Sequence, residues 1–305
     1  MATMQRRLVR VDRRWTDRWA EWVLDRGHGG QSDDERADLV YLAPIRDRVL
    51  ENARICDGDA VLDVGTGAGL IAFGALDRVG ERGKVIFSDI SQPLLDHCRS
   101  IAERAGVLDR VDFIHASADA LSPISDGVID VVTVRSVLIY VDRKDLAFAA
   151  FHRVLRPGGR LSIFEPINRY FEMRDDDFWG FDASPVRELV TKMNAYEGWN
   201  EDGASDDDPM MNFGERDLFE LAKQVGFDDV RVELVLDHTP GSWVKDWDSM
   251  LRTAPNPNAH TVREILDGAL SPEEATRFES FMKPMVDSGQ GRMESAFAYL
   301  RATKR

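Results

Sequence analysis

Three glycines and two carboxylates stand where they can hold a nucleotide-like ligand. Gly65, Gly67 and Gly69 occupy alternate positions, Asp63 precedes them, and Asp89 follows the turn farther along the chain. Glycine tolerates positive φ and lets a ligand approach the backbone closely. A helix that starts just after such a turn aims its unpaired N–H groups at that ligand. An acid roughly 20–25 residues beyond the turn, at the end of the next strand, can accept both hydrogen bonds of a ribose diol.

These residues need a strand, a turn and a helix to position them, and the flanking sequence has that order. Ala60 to Val64 is a short apolar run of the length of a buried strand, and Leu70 to Arg78 is compatible with a helix. Further strands are expected at Lys84 to Ser88, Val111 to His115, Val131 to Val134, Arg160 to Phe164, Val230 to Leu236 and Ser295 to Thr303. Helices are expected from Pro93 to Ala105 with Gly106 closing it, from Arg143 to Leu155 before Pro157-Gly158-Gly159, and from Glu215 to Val225 with Gly226 closing it. This alternation predicts an α/β fold: a doubly wound, mostly parallel, seven-stranded sheet with right-handed crossovers. Ligands of such a sheet lie at the carboxyl ends of its strands.

The turn reads Asp-x-Gly-x-Gly-x-Gly, with its third glycine one residue earlier than in the dinucleotide fingerprint. It resembles motif I of the class I S-adenosylmethionine-dependent methyltransferases. Four further stretches resemble that family in the same order: Asp89-Ile90, Ser117-Ala118-Asp119-Ala120, Arg135-Ser136, and Leu155-Arg156-Pro157-Gly158-Gly159-Arg160-Leu161. The run from Arg78 to Val85 is similar to the small-molecule and quinone methyltransferase branch. The resemblance spans roughly Tyr41 to Phe164. It implies S-adenosylmethionine as cofactor and S-adenosylhomocysteine as product. It further implies that Asp63, Gly65, Thr66, Gly67 and Gly69 form the cofactor turn, that Asp89 takes the ribose, and that Ile90 lies on the adenine face. Ala118 and Asp119 then meet the polar edge of the adenine, and Arg135 and Ser136 the methionine end. Position 135 is usually small or amide-bearing in the family. An arginine there suits a carboxylate on cofactor or substrate, or it points outward.

The implied reaction is in-line methyl transfer to an oxygen, nitrogen or carbon of a small, apolar or aromatic organic molecule. Orientation supplies much of the rate. A hydroxyl or amine nucleophile also needs a base, whereas an anionic carbon or a thiolate needs none. Glu165, directly after the fifth strand, and His238, after the sixth, are the candidate catalytic bases; Tyr140 and His28 are further ones. His152 reads as structural, and His97 and His115 as surface or packing residues. Two rivals remain: a protein of this fold that binds the cofactor for sensing or assembly without transferring methyl, and a nicotinamide-dependent oxidoreductase, which the early third glycine disfavours.

The chain has 305 residues, 43% of them hydrophobic, and a formal charge of −15. That acidity disfavours nucleic acid as a main partner. Cys56 and Cys98 are the only cysteines, and no Cys-x-x-Cys or His-x-x-x-His occurs. Reduced thiols, no metal and a cytoplasmic setting are expected. No apolar run approaches the ~20 residues of a membrane span. Nothing decides between monomer and homodimer.

Four regions are expected: 1–55 as an N-terminal helical cover, 56–238 as the cofactor-binding α/β core, 239–292 as a helical insert, and 293–305 as the last strand. Trp15, Trp19 and Trp22 share one face of a helix from about Asp12 to Asp25, which Gly27-His28-Gly29-Gly30 breaks. Ser32 with Glu35 opens a second helix to Ala43, and Pro44 starts or kinks the next, ending near Ala53. The tryptophans are packing anchors, or the segment is a cover with Tyr41 and His28 facing the pocket. Asp206-Asp207-Asp208 reads as a solvated loop, and Ser271-Pro272-Glu273-Glu274 as a helix start. Phe178, Trp179, Phe181, Trp199, Met210, Met211, Trp243 and Trp247 either line a substrate pocket or join the extra helices to the sheet.

Overall fold

The computed structural model describes residues 17–28, 35–170, 174–198, 208–242 and 244–305. Five parallel strands form most of one sheet: β1 (Ala60–Val64), β2 (Lys84–Asp89), β3 (Val111–His115), β4 (Ile129–Arg135) and β5 (Leu155–Pro166). A two-residue hairpin, β6 (Asp177–Phe178) with β7 (Phe181–Asp182), stands apart, and the long strands β8 (Phe227–Pro240) and β9 (Arg292–Lys304) complete the sheet. The sheet order is β3-β2-β1-β4-β5-β9-β8, with β9 antiparallel to both neighbours. The expected mostly parallel, seven-stranded sheet is therefore present. Residues 61–64 and 129–134 are buried without interruption, as strands covered on both faces must be.

One face carries α2 (Glu35–Ala53), α3 (Leu70–Leu76) and α4 (Gln92–Ala105), which pack Val49, Leu50, Ile71, Leu95 and Cys98 on Val85 and Phe87. The other carries α5 (Lys144–Val154) and α7 (Glu215–Gln224), with Phe148, Phe151, Leu218 and Ala222 against Val132, Leu161 and Leu300. Gly106 closes α4 in the left-handed conformation at φ 69°.

Several boundaries differ from the sequence expectation. The first described helix, α1 (Arg18–Leu24), is capped by the Asp17 side chain, which accepts from the Trp19 and Ala20 amides; the expected start near Asp12 lies outside the described residues. Trp15, Gly29, Gly30 and Ser32 lie outside the described residues. α2 runs unbroken through Pro44; the lost backbone bond is offset by packing of Ile45, Val49 and Leu50. Pro157-Gly158-Gly159 lies within β5 and does not precede it: Leu155 already pairs with Ile129, and pairing resumes at Arg160 opposite Val131 after a shift of register. β8 and β9 pair from Phe227–Lys304 to Pro240–Arg292, well beyond the expected ends.

The remaining helices build a third core of their own. α6 (Arg187–Glu197), α8 (Trp247–Arg252), α9 (Val262–Ala269) and α10 (Pro272–Asp287) bury Leu189, Met193, Met250, Ile265, Phe278 and Met282 together. Ser271 and Glu274 form the expected capping box of α10 around Pro272. This core resolves the aromatic alternative toward packing. Phe178, Phe181 and Trp247 are buried in it, Trp179 packs against it, and Met210 packs against the α5–α7 core. Met211 is half-buried, while Trp199, Trp243 and Asp206-Asp207 lie outside the described residues. Trp247 is 1% exposed and its Nε1 donates to Glu279 Oε1 at 2.9 Å. Trp247→Ala is expected to lower unfolding stability by about 3–5 kcal/mol, read as a shift of the urea midpoint; an unchanged midpoint would return this residue to the pocket.

Candidate active site

The strand order places β1 between β2 and β4, so the loops after these strands open a crevice at the carboxyl edge of the sheet. The glycine turn fills that crevice. Gly65, Gly67 and Gly69 have φ of 65°, 56° and 89°, a region costly for any residue with a Cβ. A Cβ on Gly65 would lie 2.3 Å from Val137 Cγ2, and one on Gly69 2.5 Å from Phe73 Cε2. At Gly67 the nearest atom would be Val23 Cγ1, at 4.0 Å. Gly65 and Gly69 thus serve packing, while Gly67 leaves backbone open to approach.

Asp63 holds the turn from beneath. It is 2% exposed. Its Oδ2 accepts from Thr66 Oγ1 and its Oδ1 from Thr133 Oγ1, each at 2.8 Å. Burial pushes its carboxyl up to about 6, against the pull of both hydroxyls and of the Arg135 charge. The Thr66 amide donates to the Ser88 carbonyl at 2.9 Å, tying the turn to β2.

Asp89 ends β2 with its carboxylate facing the turn. Its Oδ2 accepts from the Gly67 amide and its Oδ1 from the Ser91 amide, both at 2.9 Å. Burial raises its pKa, and the two amides hold it down. The Ile90 amide also pulls it down. Cys98 Sγ lies 3.3 Å from the Gly67 carbonyl and closes the far side. Ile90 is 47% exposed at the crevice wall.

A cavity of about 440 Å³ adjoins these residues, lined by Ile90, Pro93 and His115 on one side and by Asp17, Arg18 and Trp19 of α1 on the other. His115 Nε2 lies 2.8 Å from the Ile90 carbonyl; a carbonyl only accepts, so this nitrogen carries the proton. Sequence reasoning had set His115 aside as surface or packing. The signal was present: His115 is the last residue of β3, in register with Asp89, and residues ending parallel strands line the crevice. Ala118 is buried, and Asp119 is half-buried and accepts from Ser117 Oγ.

The loop after β4 forms the opposite wall. Arg135 is half-buried, and its charge reaches Asp63 and Tyr140. Ser136 has φ 54° and donates its amide to the Phe164 carbonyl at 2.9 Å. Tyr140 meets the Trp19 ring edge to face at 4.9 Å. Burial, reinforced by the Glu165 charge, raises its phenol above the usual range.

Both candidate bases are engaged elsewhere. Glu165 is fully buried and accepts from the backbone amides of Val137, Leu138 and Ile139 at 2.8, 2.8 and 3.2 Å. It caps the loop after β4 and presents neither oxygen to a nucleophile. Burial pushes it up to about 7, opposed by those amides and by Lys144. His238 is exposed near the end of edge strand β8, with Glu294 2.9 Å from Nδ1. Three strand spacings, roughly 14 Å, separate β8 from β4. Of the two expected bases, Glu165 is thus occupied by loop amides and His238 lies at the far edge of the sheet. His152 packs edge to face on Phe227 at 5.0 Å, a structural role as expected. The side chains of His28 and Tyr41 are outside the described set. Among the described residues, no group of three or more His, Cys, Asp or Glu stands ready for a metal. No helix among them is long and apolar enough to cross a membrane.

Comparison with known proteins agrees with this geometry. The sequence model of the ubiE/COQ5 methyltransferase family matches residues 44–233. The ubiquinone/menaquinone biosynthesis C-methyltransferase UbiE of Francisella tularensis is 38% identical over 108 residues, 35% of this chain and 43% of that enzyme. Its counterpart in Cronobacter sakazakii is 35% identical over 143 residues, 44% of this chain and 55% of that enzyme. The chain spans about half the length of the curated relatives it matches. The crystal structure of YcgJ from Bacillus subtilis superposes with a TM-score of 0.53 at 17% identity, covering 85% of this chain and 97% of that one, which shows the shared fold.

Two outcomes follow. Gly65→Ala is expected to destabilise the protein more than Gly67→Ala, which meets only the left-handed backbone cost of about 1–2 kcal/mol; equal shifts in thermal midpoint would contradict the packing role. Asp63 and Glu165 hold protons in the fold that the unfolded chain releases near 3.8 and 4.5. Their contribution to stability is complete below those values and is lost as pH rises through about 6 and 7. Asp63→Asn with Glu165→Gln should flatten this fall in urea titrations between about pH 4 and 7.

Proposed function

We propose that this chain, which belongs to the ubiE/COQ5 methyltransferase family, moves a methyl group from S-adenosylmethionine to a nucleophilic atom of a small organic molecule. The observation that carries this reading is one bond. The Gly67 amide meets Asp89 Oδ2 at 2.9 Å beside a cavity of about 440 Å³ walled by exposed Ile90. A glycine turn with no side chain at Gly67, an acid at the end of β2 and an apolar wall suit an adenosyl group, and the volume lies within the roughly 300–1,000 Å³ of small-molecule sites.

In this reading Gly65, Thr66, Gly67 and Gly69 hold the cofactor's backbone-facing side, with Asp63 shaping them from below. Asp89 accepts from the ribose, Ile90 covers the adenine, and Ala118 and Asp119 meet its polar edge. Arg135 and Ser136 face the methionine end, where the guanidinium suits its carboxylate. When bound, the cofactor supplies an electrophilic methyl on a positively charged sulfur. The chain's own residues bind, orient and exclude water, and orientation of this kind supplies much of the rate.

Carbon is the nucleophile we favour. With Glu165 committed to the loop amides and His238 at the far edge, the described site supports a substrate that brings its own electron density. A ring carbon beside an ionised aromatic hydroxyl does so and needs no base to attack. The matched UbiE enzymes are C-methyltransferases by name, which supports the same choice. We assign functional divisions at 1–55 (cover), 56–238 (cofactor core), 239–292 (insert) and 293–305 (last strand).

Titration calorimetry tests the reading. Micromolar-range binding of S-adenosylmethionine and S-adenosylhomocysteine is expected, with none of NADH. Asp89→Ala should weaken S-adenosylhomocysteine by roughly 10–100-fold, the value of a charged hydrogen bond of about 1.5–3 kcal/mol. Binding of NADH alone, or an unchanged affinity in a folded Asp89→Ala, would overturn it.

A further inference from the structure

Helix α1 touches two places in the fold. Toward the sheet, Asp17, Arg18 and Trp19 wall the cavity, Trp19 meets Tyr140, and Val23 is the atom neighbour of Gly67. Toward the insert, Trp22 Nε1 donates to the Ala254 carbonyl at 2.8 Å, and the Ala254 amide returns a bond to the Arg26 carbonyl at 2.9 Å. Arg26 Nη2 also donates to Glu264 Oε2 at 2.5 Å. That carboxylate is the capping-box acid of α9, accepting from the Thr261 amide at 2.8 Å. No described residue of the insert lines the cavity.

α1 is seven residues long, and only Ala20 is buried. A helix of this length, roughly 10 Å, does not hold itself in water. Its position is set by its two ends, so whatever steadies one end steadies the other. Resting on the reading of the cavity as the S-adenosylmethionine site, we infer that α1 is a strap that couples occupation of that cavity to the order of the 253–266 segment of the insert. A ligand in contact with Asp17 and Trp19 favours the docked helix. The docked helix holds Ala254 through Trp22, and the first turn of α9 through Arg26. Coupling of this kind is reciprocal, so an organic substrate that orders the insert tightens cofactor binding by the same factor.

Hydrogen exchange of the full chain with and without saturating S-adenosylhomocysteine tests this. Slowed exchange is expected at residues 63–69 and 89–91, and also at 253–266, which line no part of the cavity. Trp22→Phe keeps a ring and removes the N–H donor. It should abolish the remote protection and weaken S-adenosylhomocysteine roughly fivefold, the value of one neutral hydrogen bond. Glu264→Gln, which retains an oxygen for capping α9, should do the same and serves if Trp22→Phe fails to fold. Protection confined to the turn and Asp89 in the unsubstituted chain, or remote protection that survives both variants, would overturn the strap while leaving the cofactor site standing. No binding of S-adenosylhomocysteine at all would instead overturn the functional reading and the strap with it.

Discussion

Two loops at the carboxyl edge of the sheet must turn sharply, and each turn leaves donors that need acceptors inside the protein. A buried carboxylate satisfies each. Asp63 takes the hydroxyls of Thr66 and Thr133, joining β1, the glycine turn and β4 at one point. Glu165 takes three successive amides of the loop after β4. Val137, the first of those three amides along the chain, is the neighbour that forbids a Cβ on Gly65. The two carboxylates therefore brace one unit from opposite sides. Burying them carries a desolvation cost, visible in the raised pKa of both, and their hydrogen bonds offset it. Asp89 belongs to the same arrangement through the Gly67 and Ser91 amides, and it directly precedes Ile90 at the wall of the cavity.

The parts legible in the sequence were those whose signal is local. Three glycines at alternate positions require a left-handed turn, and all three adopt it. Apolar runs bounded by helix caps read as strands, and Gly106 and Ser271 cap their helices as expected. The contacts of Glu165 were not legible because they are made with amides 26–28 residues away in sequence that only the fold brings to it. An acid at a strand end looks the same whether it faces a ligand or a loop. Likewise Phe178, Phe181 and Trp247 have the composition of a pocket and the burial of a core. Deciding between the two required knowing that α6 joins a helical insert that follows it by some fifty residues.

The three N-terminal tryptophans show a subtler limit. Spacing at i, i+4 and i+7 places side chains on one helical face, yet it says nothing about whether that face meets one partner. Trp19 meets Tyr140 of the core, and Trp22 meets Ala254 of the insert. Trp19 and Trp22 thus anchor one short helix to two different partners.

The absence of a committed base among the described site residues bears on the chemistry a substrate must bring. An enzyme that methylates a neutral hydroxyl or amine has to dispose of a proton in or near the transfer step, and efficient bases are placed within hydrogen-bond reach. Here the buried acids near the crevice are held by donors, and the phenol of Tyr140 is kept protonated by burial and by the nearby negative charge of Glu165. On the proposed reading, such surroundings favour a substrate already rich in electrons at carbon over one that needs a proton acceptor on the protein. Arg135, whose charge already reaches Asp63 and Tyr140, is then the local group suited to an anionic partner. In the proposed reading, the guanidinium that suits the cofactor's carboxylate would also favour the ionised form of an aromatic hydroxyl, and so raise the nucleophile that the described site does not itself generate.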